Sequence, residues 1–190
     1  MKRPLTALLA FGMIFCLLGC EKKDTLAEGK QRDYKIEDIL KNDVRIDGIP
    51  ISIPCTLNEL LEELGDDYSV DNDEIYRFIY EGYSVFALYY KNENTYGHLM
   101  ASVDSENADF DTIIIESYMS GKDNGIISLS NLSSGDSLDK CLEKYGEPDN
   151  IYVEEEITYL TYEEGNCFIQ INIIDNVVDE ISDVRFLIKR

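Results

Sequence analysis

The chain has 190 residues and a formal net charge of −21, with 38 acidic residues, 17 basic residues and one histidine. This charge excludes nucleic acid as an expected partner, because phosphate binding needs basic patches. Tyrosine occurs 13 times and tryptophan is absent. The chain is long enough for two small units with cores of limited size, which would have to share or abut their sheets.

The first 20 residues have the anatomy of a secretory signal. Lys2 and Arg3 precede an apolar run, Leu5–Leu18, that is shorter than the roughly 20 residues a transmembrane helix needs. The run ends in Leu17-Leu18-Gly19-Cys20, which resembles the lipobox of bacterial lipoproteins. The resemblance implies that residues 1–19 are removed and that Cys20 is acylated.

Acylation of Cys20 would hold the mature protein on the outer face of the bacterial cell membrane, since two acyl chains suffice for stable anchoring. Residues 20–34 are rich in charged residues, with Gln and Gly, and predict a flexible acylated tether. Loss of Lys2 and Arg3 would change the formal charge from −21 to −23. The alternative is an ordinary signal peptide cut near Gly19.

A first α+β unit is predicted at residues 35–122. A helical turn at Tyr34–Leu40 precedes an Asp47-Gly48 hairpin turn. Thr56 and Glu59 form a capping box for an amphipathic helix that ends at Gly65. Runs with a period of two then predict an antiparallel meander. These runs are Ile75–Glu81, Tyr83–Lys91, Leu99–Asp104 and Thr112–Met119.

A second unit is predicted at residues 123–190, where a strand-like run and a helix capped near Ser137 and ended by Gly146 precede further strands. The strand-like run is Ile126–Leu129, and the later strands are Ile151–Glu163, Cys167–Ile174 and Ile181–Ile188. An offset of 81 residues superposes the two helices, which favours a tandem repeat. Chance similarity between two helix-plus-strand segments is the alternative. The expected fold class is α+β, with two tandem units, each a short amphipathic helix packed on an antiparallel β-meander.

The segment Gly135–Asp149, with its short helix followed by Gly-Glu-Pro-Asp, resembles the SmpA/OmlA and β-lactamase-inhibitor-protein-like superfamily. It also resembles lipoproteins of Gram-positive gut bacteria that are built from this unit. The resemblance covers residues 126–188 well and residues 44–119 loosely. It implies a helix on an antiparallel sheet, no catalysis and a role in binding other proteins.

No catalytic group, cofactor or metal site is predicted. His98 is the only histidine, and no nucleophile is tied to it by a motif. The acidic clusters at residues 71–74 and 104–111 lack the spacing of an EF-hand. These clusters are interpreted as solvated loops.

Two cysteines of the second unit are expected to meet. Cys141 lies on the apolar face of the predicted helix, and Cys167 lies on the apolar face of the following strand. An oxidising compartment would permit a Cys141–Cys167 disulfide. Two buried free thiols are the alternative.

Tyrosines predict a recognition surface for protein or glycan, because the side chain joins a rigid apolar ring to a polar tip. The candidates are Tyr76, Tyr80, Tyr83 and Tyr89. Ordinary cross-strand packing is the alternative.

The sequence as a whole favours a non-enzymatic, membrane-anchored extracytoplasmic lipoprotein. Its expected partners are the membrane, through the lipid on Cys20, and an envelope protein or peptide. The alternative is a cell-wall or glycan-binding receptor, or a hydrolase that acts through carboxylates. A structural spacer is a third possibility.

Overall fold

The structure is a computed structural model, and it describes residues 33–72, 84–91, 94–101, 109, 111–120 and 126–186. The predicted signal, Cys20 and the strand at Ile75–Glu81 lie outside these residues. Among the described residues, no helix has the length or apolar composition that a membrane span requires. The fold of the described residues is mostly antiparallel β-sheet with three helices, which confirms the α+β prediction at that level.

The three helices are α1 (Ile36–Asn42), α2 (Leu57–Leu64) and α3 (Leu138–Tyr145). The capping box of α2 is confirmed: the Thr56 side chain accepts a hydrogen bond from the Glu59 N–H, and Glu59 accepts one from the Thr56 N–H. Ser137 caps α3 by accepting from the Lys140 N–H. Gly65 and Gly146 follow α2 and α3 with positive φ, as helix-ending glycines do.

The strands form two sheets. A small sheet has the order β2-β1-β8, and a large sheet has the order β4-β5-β6-β7-β12-β11-β10-β9, with β3 paired to β7. All of the pairings are antiparallel. The strands are β1 (Val44–Ile46), β2 (Ile49–Pro50), β3 (Cys55–Thr56), β4 (Tyr68–Asn72), β5 (Ser84–Tyr90), β6 (Asn94–Ala101), β7 (Ile114–Ser120), β8 (Ile127–Leu129), β9 (Asn150–Glu154), β10 (Ile157–Glu164), β11 (Cys167–Ile174) and β12 (Val177–Phe186).

Two hairpin turns differ from the sequence prediction. The run predicted as one strand at Ile151–Glu163 is two strands, because the chain reverses at Glu155-Glu156, where Glu155 has a φ of 53°. The last strand begins at Val177 rather than Ile181, after a turn at Asp175-Asn176 in which both residues have positive φ. Asp and Asn tolerate that conformation and suit a two-residue hairpin. The predicted Asp47-Gly48 hairpin is confirmed.

One continuous core joins both halves of the chain. The buried faces of the three helices pack together with the inward side chains of both sheets in a single hydrophobic cluster. The large sheet is continuous because β7 pairs with β12. The small sheet also crosses the halves, since β1 pairs with β8.

The first helix belongs to the packing of the second half. The Ile36 N–H donates a hydrogen bond to Glu164 Oε2 at 2.8 Å, at the end of β10. The Tyr34 hydroxyl donates to the Tyr145 carbonyl at 2.7 Å, and the two rings meet edge to face. Residues on either side of the predicted boundary at 122/123 therefore share one core rather than two separate ones.

Candidate functional site

The large sheet has one face against the helices and an opposite face, here called the open face because the buried sides of the described helices all pack in the core on the other face. Several side chains of the open face are nonetheless buried, among them Val85, Ala87, Met100 and Ser117. In β5, Phe86 and Leu88 point into the core cluster while Val85, Ala87 and Tyr89 alternate with them on the open face. The same alternation continues across the strands. The open face carries polar side chains where β7 meets β12, and this region is here called the joint.

The joint is centred on Asp183, which is buried at 7% exposure. Its Oδ1 accepts a hydrogen bond from the Ser117 hydroxyl at 3.1 Å, across the strand pair. Its Oδ2 accepts from Arg185 Nη2. Burial raises the pKa of the Asp183 carboxyl, and Arg185 and Ser117 offset part of that rise. The hydrogen bond between Ser117 and Asp183 therefore links β7 to β12. A buried carboxylate without such partners would be strongly destabilising.

Arg185 is held on two sides. Its guanidinium lies over the ring of Phe168 in β11, 5.1 Å from the ring centre, and it bonds Asp183. Its Nε is buried and has no hydrogen-bond partner. About a quarter of the side chain, 26%, remains exposed. The exposed part of the guanidinium can donate a hydrogen bond to a carboxylate or carbonyl oxygen of another molecule.

A second polar chain runs beside Asp183. Glu180 accepts hydrogen bonds from Ser120 at 2.6 Å and from the Asn172 amide at 2.8 Å, one on each carboxylate oxygen. Ser182 donates to Asn172 Oδ1 at 3.0 Å and accepts from the Gln170 amide at 2.9 Å. The network spans β7, β12 and β11, so polar groups of three strands hold one another in place.

The two carboxylates of the joint, Asp183 and Glu180, are held in place by side-chain hydrogen bonds within the sheet. All four oxygens of Asp183 and Glu180 already accept a hydrogen bond from a neighbouring side chain. The network holds amide, hydroxyl and guanidinium groups in fixed positions.

The predicted tyrosine surface is described at one of its four positions. Tyr76, Tyr80 and Tyr83 lie outside the described residues. Tyr89 is half-buried on the open face, in register with Ser69 of β4 and Thr95 of β6.

A different tyrosine pair stands on the open face of the second half. Tyr152 of β9 lies directly opposite Tyr159 of β10, with ring centres 5.8 Å apart, and Tyr152 is 60% exposed. The sequence carries the signal for this pair, since each tyrosine lies three positions from the nearer turn residue, Tyr152 from Glu155 and Tyr159 from Glu156. The pair was missed because the Glu155-Glu156 turn was missed.

The three cysteines among the described residues, Cys55, Cys141 and Cys167, are free thiols in the structure, so the predicted Cys141–Cys167 bond is not formed in it. Cys141 Sγ lies 3.6 Å from the Tyr162 hydroxyl. Burial raises the pKa of Cys141 to about 11, and that of Cys55 to about 12. Buried, protonated thiols are poor nucleophiles. The bond stays a prediction that thiol mapping would test.

His98 is buried in β6, in register with Ala87 and Met119. Within the described ranges, no three His, Cys, Asp or Glu side chains are grouped so as to hold a metal ion. The loop interpretation is wrong for Asp71 and Asn72, which end strand β4 and pair with Ala87 and Phe86 of β5. Most of the other residues of the acidic clusters lie outside the described ranges.

Comparison of the chain with protein-family models, with characterised proteins and with solved structures finds no match. The superfamily resemblance at Gly135–Asp149 therefore stays a prediction carried by those residues alone.

Proposed function

We propose that this protein is a lipid-anchored extracytoplasmic lipoprotein that binds a protein or peptide partner through the open face of its sheet and catalyses no reaction. The observation that carries the proposal is the joint. There a guanidinium is stacked on Phe168 and bound to Asp183, and a network of amides and hydroxyls lies along the same strands. Positioned Arg and Tyr side chains are typical centres of binding energy.

The anchor is proposed on Cys20, from the lipobox resemblance at residues 17–20. Cys20→Ser should abolish incorporation of labelled palmitate and release the protein from membranes into the medium. Retention of the label by the variant would refute this assignment. Cys16→Ser, in the predicted signal, is the matched control and should leave labelling unchanged.

The tandem repeat is also proposed, and the sheet order supports it. Each half places one capped helix before a four-stranded meander, α2 before β4–β7 and α3 before β9–β12. The helices begin at Leu57 and Leu138, which matches the offset of 81 found in the sequence. The last strand of each meander pairs at the joint, so the sheet order reads alike from either edge.

A pull-down from envelope extract tests the binding function. The full chain in detergent should recover a partner at physiological salt, and the double variant Phe168→Ala with Arg185→Ala should lose it. The control Lys140→Ala removes an exposed ion pair with Asp136 at the start of α3 and should retain the partner. Recovery of no specific protein by the wild type would contradict the proposal.

Glycan binding is the second candidate, and the Tyr152–Tyr159 pair favours it because exposed aromatic rings stack on sugars. Co-sedimentation with purified cell wall separates the two candidates. Binding that falls with Tyr152→Ala and persists with Arg185→Ala would support the glycan function instead.

A further inference from the structure

Strand β9 ends the large sheet and is exposed along its whole length. Among the described strands it pairs only with β10. All five of its residues are exposed, and Ile151, Tyr152 and Val153 reach 46%, 60% and 61%. Three consecutive apolar side chains on an edge strand are unusual, because natural edges are generally blunted.

The backbone of β9 offers a template for another strand. Glu154 and Ile157 close a two-residue hairpin, and hydrogen-bonded and non-hydrogen-bonded pairs alternate from there. The alternation points the N–H and C=O groups of Ile151 and Val153 away from β10. The side chains of these two residues lie on the helix side of the sheet, opposite Leu160 and Thr158, while Tyr152 lies on the open face.

Several of the devices that protect edges are missing from β9. It contains no Lys and no Pro, and its pairing with β10 has no bulge. By contrast, the edge strand β2 of the small sheet carries Pro50, which cannot donate a hydrogen bond to a new strand. The β2 edge therefore resists the addition of another strand, whereas the β9 edge does not.

The acidic residues around β9 determine which kind of strand can pair with it. Glu147 and Asp149 precede β9, and Glu154, Glu155 and Glu156 follow its apolar centre. A second copy would bring its own acidic ends and its net charge of −21 to this edge, so self-pairing is opposed by repulsion. An extended segment with Lys or Arg near its ends would instead be attracted.

We propose that β9 is a docking edge to which an extended segment of a partner protein adds as the next strand of the sheet. That segment has β-branched or aromatic residues at its centre and basic residues toward its ends. Main-chain hydrogen bonds to Ile151 and Val153 provide the binding, and alternate side chains provide the selection, as in other cases of strand addition. The inference rests on the proposed binding function and names the kind of partner.

The test uses the full chain in detergent and a labelled synthetic peptide of sequence KTVTVTVK with capped ends. Fluorescence anisotropy should rise saturably with the wild type and should weaken as salt increases. Val153→Pro should abolish binding, because the substituted residue loses an outward N–H that β10 does not use. The control Val177→Ala alters another exposed apolar residue, in β12, and should bind like the wild type.

The peptide itself supplies a second control. A version methylated on alternate backbone nitrogens keeps its side chains and charges but cannot pair along the methylated edge, and it should not bind. Absence of binding by the unmethylated peptide, or equal binding by Val153→Pro with an unchanged circular dichroism spectrum, would overturn the inference. Dimers of the wild type that Val153→Pro dissolves would also overturn it, in favour of a second copy.

Failure of this inference and failure of the proposed function are distinguishable. If Val153→Pro still recovers the envelope partner while the Phe168/Arg185 double variant does not, binding stands and the docking edge is refuted. If the wild type recovers no partner and binds no peptide, both are refuted.

Discussion

The joint and the β9 edge belong to one sheet, but the joint buries polar groups whereas the β9 edge exposes apolar ones. At the joint, polar groups are half-buried or buried, and each carboxylate oxygen of Asp183 and Glu180 accepts a hydrogen bond from within the chain. At β9, apolar side chains are exposed and the outer backbone groups have no strand partner among the described residues. The joint therefore stabilises the sheet and leaves only the exposed part of Arg185 for a partner, whereas β9 exposes both its side chains and its outer backbone groups.

The largest loss of unfolding free energy is expected when the hydrogen bonds of the joint are removed. Asp183→Ala leaves Arg185 without its carboxylate and Ser117 without its acceptor, so we expect a loss of about 2–4 kcal/mol in the free energy of unfolding, reduced from the fully buried case because Arg185 is partly exposed. Urea denaturation would measure it. Lys140→Ala, at an exposed ion pair, should change the value by less than about 0.5 kcal/mol. Equal effects of the two substitutions would contradict this role of the joint.

The next largest loss of unfolding free energy is expected in β6, which pairs with β7 beside the joint. A Cβ at Gly97 would lie 2.5 Å from the Met119 carbonyl oxygen and 2.5 Å from the Tyr118 hydroxyl. Gly97→Ala should therefore force β6 away from β7 and cost about 1–3 kcal/mol in unfolding free energy. Gly165→Ala is a control that meets open space and carries only the strain of a positive φ. A smaller loss at Gly97 than at Gly165 would show that the two strands are not packed this closely.

The pH dependence of stability sharpens the account of Asp183. Because burial raises its pKa above the ordinary 3.8, the folded protein binds this proton at pH values where the unfolded chain has lost it. The contribution of Asp183 to stability is therefore greatest at low pH and declines as pH rises above about 3.8. The unfolding free energy of the wild type minus that of Asp183→Asn should fall over this range. A difference that grows with pH would mean that Arg185 outweighs burial.

The smallest effect on the unfolding free energy is expected in β9. A Val→Thr substitution there can be compared with the same substitution in the core. Val153→Thr replaces an exposed side chain and should change unfolding free energy by less than about 0.5 kcal/mol. Val184→Thr buries a hydroxyl in β12, where Val184 is fully buried, and should cost about 1–3 kcal/mol. A large loss at Val153 would show that β9 is covered within the folded chain.

Local chemistry explains which elements the sequence predicts well. The capping residues Thr56 and Ser137 and the glycines after each helix define α2 and α3, because helix ends are decided by a few neighbouring residues. The turn at Asp47-Gly48 was found for the same reason. The Asp175-Asn176 and Glu155-Glu156 turns were missed because neither contains glycine, although both include a residue with positive φ.

Long-range pairing was beyond the reach of local patterns. No residue of β7 indicates that β12 will be its neighbour, and no residue of α1 indicates that it will contact Glu164. The joint was expected between the two units, but its residues could not be named. Asp183 and Arg185 lie within the predicted strand Ile181–Ile188, but the contact of Asp183 with Ser117 depends on the long-range pairing of β12 with β7.

The most direct test of partner binding is photo-crosslinking in the native cell envelope. A benzoylphenylalanine at position 152 replaces one exposed aromatic ring with another where β9 meets the open face, and the same probe at Asp139, exposed on α3, serves as the control. The account predicts a discrete protein adduct from position 152 and none from position 139. No adduct from position 152, or the same adducts from both positions, would contradict it.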